Sequence, residues 1–291
     1  MSEQPNISML VQTACIWEVT ARKVGNVHPG ADFPDTSYID FILSAAAIAP
    51  CFQEPRGIGQ TVLGAVRRTR LWIGRNTNLG IILLLAPFNW SSPPELIRYR
   101  LNDHLVKMDT MQESRWVYEA IREAQPGGLG KVPEQDVQSE PSVTLIEAMR
   151  LAADRDLVAR QYTNNFTDVF DFGIPAFQSA FARFGCLEAA IIDTQLRWLA
   201  QYPDSLIARK NGTAIAKDIQ ERACLVLKQG SIATSQGRTA ALALDQYLRS
   251  SGNLLNPGTT ADLITACLFL ALRENKLTLN TPFRWNTTDW L

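Results

Sequence analysis

From Ser8 to Lys23 the apolar side chains of Leu10, Ala14 and Trp17 fall on one side of a helical wheel, which predicts a first helix. The same three-to-four spacing recurs through Phe41, Leu43 and Ile48, where Thr36-Ser37 offers a cap and Pro50 a stop, and again over Ile58–Trp72. In that third helix Val62, Ala65, Val66 and Thr69 point inward, and Arg67, Arg68 and Arg70 form a solvated face. The stretch Gly74–Gly80 breaks the pattern, and Ile81–Ala86 behind it reads as a buried helix with Asn and Thr as caps. Pro93-Pro94 opens a charged helical region, Glu95–Ala124, that carries His104 as a surface or internally satisfied residue. Gln125–Thr144, rich in Pro and Gly, is a loop or hinge.

Helical periodicity resumes at Leu145 and runs to Lys228, with breaks near Gly173-Ile174-Pro175, Gly185 and Pro203. Asn164, Asn165, Asp168 and Asp171 precede the first break as caps or as pocket residues, and Tyr202–Gly212 reads as a turn-rich stretch between helices. Thr239–Ser250 is a further helix. The loop Ser251–Asp262 leads into the apolar Leu263–Leu272, with Thr259 or Thr260 as its cap and Asp262 in its first turn. Runs of alternating strand residues are absent, so the expected fold is all-α: a single multi-helix globular domain over residues 1–291, of about ten or more helices.

Composition narrows the function. A formal charge of −1 leaves no global field to recruit nucleic acid or an anionic membrane. The N-terminus has no basic region followed by an apolar one, and the longest apolar run, Leu79–Phe88, is too short to span a bilayer, so a cytoplasmic protein is expected. The five cysteines are scattered and read as small core residues. With only His28 and His104 present, acid-base chemistry must rest on carboxylates.

Chemistry-bearing residues gather in loops. Between the first two helices, Glu18–Asp35 places Arg22, Lys23, Asn26, His28, Asp32 and Asp35 among Gly25, Pro29, Gly30 and Pro34. Such a segment suits a phosphorylated, metal-bound ligand, or is an ordinary connection with solvated charges. Three more loops, around Asn76, Asp204 and Pro257, combine Gly or Pro with Asn, Asp, Thr or Arg beside very apolar helices. Four of them together imply helix ends converging on one polar cleft.

In order along the chain, Glu18-Val19, Lys23-Val24-Gly25, Gly30-Ala31 with Asp32 and Asp35, Asn76-Thr77 with Gly80, Asp204 through Arg209, and Asn253-Leu254 followed by Pro257-Gly258 and Ala261-Asp262-Leu263 resemble the motifs of the triphosphoribosyl-dephospho-CoA synthase family. The pattern departs from that family at Arg22, Asn78, Leu79 and Thr259; Asn78 and Leu79 stand where a His and a Lys are usual, and loss of that Lys removes a phosphate contact. The resemblance implies an all-helical transferase that moves the triphosphoribosyl group of ATP to a hydroxyl of dephospho-CoA, with adenine leaving. The departures imply a divergent branch whose acceptor can belong to another coenzyme route, such as methanopterin-linked one-carbon metabolism.

The resemblance also implies roles. Asp32 or Asp35 acts as catalytic base. Lys23, Asn26, His28, Arg75, Asn76, Thr77, Arg209, Lys210, Gly258 and Thr259 hold nucleotide and phosphate, and Glu18, Asp35, Asp204 and Asp262 bind Mg2+. ATP and a dephospho-CoA-like molecule are the expected partners, with no nucleic acid and no membrane, and a homodimer is allowed. Two rival readings are a metal-dependent ribosyl hydrolase and a non-catalytic helical nucleotide-binding protein.

Overall fold

The computed structural model describes residues 6–128, 130, 135–287 and 290. Among these there are fourteen α-helices and no strand; the only bridges are two isolated antiparallel pairs, His28 with Ala31 and Phe33 with Thr36. The helices are α1 (Ile7–Thr20), α2 (Tyr38–Ile48), α3 (Ile58–Ile73), α4 (Leu79–Leu85), α5 (Ile97–Met108), α6 (Met111–Ala124), α7 (Leu145–Ala152), α8 (Leu157–Thr163), α9 (Ile174–Phe184), α10 (Leu187–Gln201), α11 (Ser205–Asn211), α12 (Thr213–Lys228), α13 (Ser235–Arg249) and α14 (Gly258–Arg273). None of them is long and apolar enough to cross a membrane.

Helix α14 is the axis of the larger core. Every residue from Leu263 to Leu272 is buried, because the run is apolar on all sides except Thr265, whose hydroxyl donates back to the Ala261 carbonyl at 3.1 Å. It packs on α1, α4, α9 and α10, and each fully buried Leu, Ile or Phe contributes about 1.5–3 kcal/mol. Helix α10 is also buried all round. Its Leu187, Ala190, Ile191 and Trp198 join that core, and its Ala189, Ile192, Leu196 and Leu199 join a second cluster built with α11, α12 and α13. Cys15, Cys51, Cys186 and Cys267 are buried and Cys224 half-buried, all as free thiols.

Several boundaries differ from the sequence expectation. The charged region before residue 124 is two helices, since Thr110 accepts a hydrogen bond from the Glu113 N–H at 3.2 Å and starts α6 afresh. The long region after Leu145 also divides early: Asp156 accepts from the N–H groups of Val158 (2.8 Å) and Ala159 (3.3 Å) and opens α8. Tyr202–Gly212 is largely the two-turn helix α11. Helix α14 begins at Gly258 without a side-chain cap of its own, so Asp262 lies beyond its first turn. In the connection 125–144, no helix is present among the described residues, and residues 129 and 131–134 lie outside them.

His104 stacks on Trp90 with ring centroids 5.0 Å apart, and burial pulls its pKa down to about 4. Asp168 collects Arg160, Gln161, Asn164 and Tyr202, and Asp171 pairs with Arg98. Those groups stabilise the π-helical turn Asp168–Gly173 and lie away from the cavity described next.

Candidate functional site

A cavity of about 580 Å³ opens where the C-terminal part of α1, the N-termini of α4 and α14, and α6, α7, α8 and α11 meet. Its wall carries Asp35, Asn76, Arg209 and Asp262, which are far apart in sequence. The wall is chemically mixed. Val117, Ile121, Leu145, Met149 and Val158 give it an apolar side, and the helix ends give it polar groups.

The loop after α1 owes its shape to residues that never reach the cavity. Gln195 clamps it from α10: its Oε1 accepts from the Val24 N–H (3.0 Å), and its Nε2 donates to the Val24 carbonyl (2.7 Å) and to Asn26 Oδ1 (2.7 Å). From α13, Asp245 accepts from the Gly25 N–H at 2.7 Å and Arg249 donates to the Asn26 carbonyl at 2.6 Å. Arg22 is held by Glu188, with Nε to Oε1 at 2.6 Å.

Lys23, expected on phosphate, is fully buried, off the cavity wall, and paired with Glu18 Oε1 at 2.9 Å. His28 is also buried and off the wall. Burial lowers its pKa to about 4, so near neutral pH it carries no charge for a phosphate. Asp32 is exposed outside the cavity and accepts from the Tyr38 N–H at 2.6 Å, at the start of α2. From this loop, Glu18, Asn26 and Asp35 do line the cavity. Asn26 is engaged further by Asn256 (2.7 Å), and Asp35 accepts from Asn253 at 2.8 and 3.0 Å.

Burial pushes the Glu18 carboxyl above the usual range, and the Lys23 charge offsets part of that. Removing one member of a buried pair strands the other, so Lys23→Met is expected to cost about 3–5 kcal/mol in urea denaturation. The double variant Lys23→Met, Glu18→Gln should recover most of that loss. An unchanged midpoint for the single variant would show that the pair contributes nothing.

On the opposite side, Asn76 Oδ1 accepts from the Leu79 N–H (3.1 Å) and Thr77 shares a 2.5 Å hydrogen bond with Ser44. Both line the cavity, as do Gly258, Thr259 and Lys210. Arg75 lies exposed on the wall with no hydrogen bond or ion pair among the described residues. Thr259 Oγ1 accepts from Ser205 (3.1 Å) and from the Leu206 N–H (3.2 Å), which ties α14 to α11.

Two aspartates expected to act alike are placed in opposite situations. Asp204 is 1 % exposed and off the cavity wall. Its Oδ1 accepts from the N–H groups of Leu206 (2.9 Å) and Ile207 (3.1 Å), and its Oδ2 from the Thr260 N–H (2.7 Å) and hydroxyl (2.8 Å). Thus Asp204, not Thr259 or Thr260, satisfies the N-terminus of α14, and its oxygens are occupied by the fold.

Asp262 is half-buried on the cavity wall and has neither a hydrogen bond nor an ion pair among the described residues. Burial, then the charges of Glu18 and Asp204, hold its carboxyl well above the usual range. Gly80 makes room for it: a Cβ there would lie 2.0 Å from Asp262 Oδ2.

The carboxylates therefore do not assemble as a four-membered magnesium cage, and among the described residues no three His, Cys, Asp or Glu side chains converge on a metal-sized site. Magnesium commonly takes only one or two protein carboxylates together with substrate phosphates, a requirement that Asp35, on the cavity lining, can meet.

Other wall residues were not singled out from sequence. Arg70, grouped there with a solvated face, and Arg155 line the cavity. Asp156 lines it too and pairs with Arg209. An aspartate immediately before Leu157-Val158-Ala159 is an N-cap signal that would have located this turn.

The family model for ATP:dephospho-CoA triphosphoribosyl transferase matches residues 4–281. A Pseudomonas putida protein described as a 2-(5''-triphosphoribosyl)-3'-dephosphocoenzyme-A synthase is 33% identical over 110 residues, 38% of this chain and 39% of that protein. A Klebsiella pneumoniae protein of the same description is 30% identical over 105 residues, 36% of this chain and 37% of that one. The chain thus spans about two-fifths of the length of the curated relatives it matches. An Archaeoglobus fulgidus crystal structure described as a triphosphoribosyl-dephospho-CoA synthase superposes with a TM-score of 0.65 at 28% identity, covering 82% of this chain and 99% of that one. By its sequence model and its all-helical structure, the chain belongs to the ATP:dephospho-CoA triphosphoribosyl transferase family.

Proposed function

We propose that this chain, as one cytosolic helical domain, transfers the triphosphoribosyl group of ATP to a hydroxyl of dephospho-CoA. The bond between ribose C1 and adenine N9 breaks, its electron pair leaving with adenine, which takes up a proton from solvent, and a C1–O bond to the acceptor forms as the hydroxyl proton passes to a base. The observation that carries this reading is a single cavity whose lining includes a carboxylate without a hydrogen bond or ion pair among the described residues, Asp262, together with Arg75, Arg209 and Lys210. A displacement at a sugar carbon that retains a triphosphate needs a base or cation-stabilising carboxylate and neutralisation of phosphate charge.

In this reading Asp262 takes the proton and faces the developing positive charge at C1. Its environment favours that role over Asp32, which is off the wall, and over Asp35, which Asn253 already engages. Arg75 contacts the triphosphate, Arg209 and Lys210 contact phosphate on the acceptor, and Asn76 and Thr77 orient the start of α4. Magnesium, bound on the triphosphate, would neutralise phosphate charge, and Asp35 is the carboxylate on the cavity lining that would hold it.

Incubating the purified chain with ATP, MgCl2 and dephospho-CoA should release adenine in equal amount to a triphosphoribosyl adduct detected by mass spectrometry. Adenine released without an acceptor would replace the transferase with a ribosyl hydrolase. Release only with a different coenzyme precursor would move the chain to another pathway, and no release and no nucleotide binding would leave a non-catalytic protein.

A further inference from the structure

We propose that Gly127 and Gly128, lying across Arg209 and Lys210, form the subsite for the diphosphate of the dephospho-CoA acceptor. The proposal rests on the transferase reading for the identity of its ligand. The geometry comes from a close crossing of two chain segments. Gly128 has φ +74°, and a Cβ added there would lie 3.2 Å from Arg209 Cβ and 3.3 Å from Lys210 Cγ. A Cβ on Gly127 would lie 3.0 Å from Lys210 Cε. The left-handed backbone at Gly128 and the tight approach to both side chains suit glycine at these positions.

Backbone amides brought next to cations make an anion-binding concavity, the arrangement used by glycine-rich phosphate loops. The N–H groups of Gly127 and Gly128 donate to no group among the described residues, and both glycines line the cavity. Lys210 spends one contact on the Asn253 carbonyl, at 3.3 Å, and an ammonium has three donors. Arg209 pairs with Asp156 and also lines the cavity, and a guanidinium has five N–H donors.

Two anionic substrates must share this cavity. The glycine pair directly follows α6, whose Ile121 and Ala124 continue into Leu145 and Met149 of α7 as an apolar surface. Dephospho-CoA carries a long, weakly polar pantetheine arm beside its diphosphate, which such a surface would cover. ATP has no such arm, its apolar part being the adenine that must lie beside ribose C1 at the reacting centre. Arg70 near the C-terminal end of α3 and Arg75 just after it also line the cavity and are left for the triphosphate.

The test compares wild type with Gly128→Ala and Lys210→Gln, each checked by its melting curve. Both variants should raise the KM for dephospho-CoA about tenfold and leave the KM for ATP within about twofold. Calorimetric titration with dephospho-CoA alone and with ATP alone reads the subsite without requiring turnover. Wild type that binds dephospho-CoA about tenfold more tightly than either variant supports the assignment even where no adenine is released, which would remove the transferase reading only. Variants that weaken ATP instead, variants that bind dephospho-CoA like wild type, or a wild type that fails to bind it would overturn the subsite. Should Gly128→Ala not fold, Lys210→Gln decides the outcome.

Discussion

Replacing Asp262 with Asn is expected to lower triphosphoribosyl transfer by about 10²–10⁴-fold, the usual contribution of a positioned base, while raising the melting temperature of the protein. The two effects have one cause. Asp262 is ionisable, burial and the charges of Glu18 and Asp204 raise its proton affinity, and the Arg209 charge offsets only part of that. In the unfolded chain the same carboxyl ionises near its ordinary value, about 3.9. Between that value and its raised folded-state pKa, the folded protein binds the extra proton. Stability therefore falls as pH rises through this window, and above it ionised Asp262 costs about 1.4 kcal/mol for every tenfold difference in proton affinity.

The amide has nothing to titrate, so Asp262→Asn should be more stable at neutral pH and less dependent on pH across the window. Turnover should show the matching signature. The acid limb of the wild-type pH–rate profile should lie above the ordinary carboxylate range and disappear from the residual activity of the variant. A variant with wild-type turnover, or one that melts lower at neutral pH, would remove Asp262 from the role assigned to it. A gain in stability together with a loss of activity is the pattern expected where a site holds an uncompensated charge for its chemistry.

Asp204→Ala should behave in the opposite way. Four donors from two helix N-termini lose their acceptor at a position only 1 % exposed to solvent. With unsatisfied buried donors costing about 1–3 kcal/mol each, and partial relaxation of the helix ends, the expected loss is about 4 kcal/mol in urea denaturation. Asp204→Asn should fall between the two, because its single oxygen can serve one helix while its amide nitrogen turns toward donors of the other. The damage should extend to nucleotide binding, since α11 carries Arg209 and Lys210 and α14 carries Asp262. A loss below about 1 kcal/mol would show that the two helix starts do not depend on this carboxylate.

These two aspartates also mark the limit of what could be read along the chain. Both follow turn residues and both lie near an apolar helix, yet one is absorbed by backbone N–H groups and the other has no partner. Much of the helical frame was legible: α2, α3, α4 and α14 lie close to where apolar spacing put them, because that signal is repeated over several turns. The breaks at Thr110 and Asp156 were harder to find, since each is a single cap inside a charged stretch and leaves the surrounding periodicity nearly intact. The loop Glu18–Asp35 is rich in charge, and most of those charges are spent on the fold: Arg22 meets Glu188, Lys23 meets Glu18, and Asp32 meets the start of α2.

By itself, then, the amino-acid sequence determined the all-helical class, the apolar identity of the central helices and the order of motifs that marks the family. These depend on spacing within a few turns and on residue types in order, both of which are present in the unfolded chain. Only the tertiary structure decided which polar groups are occupied by the fold and which face the cavity. A side chain's partner is set by packing between distant segments: Arg22 reaches Glu188 across 166 positions, and Asp204 reaches Thr260 across 56. Where such a partner arrives, a charge stabilises the fold; at Asp262 none does, and the carboxylate is left facing the cavity.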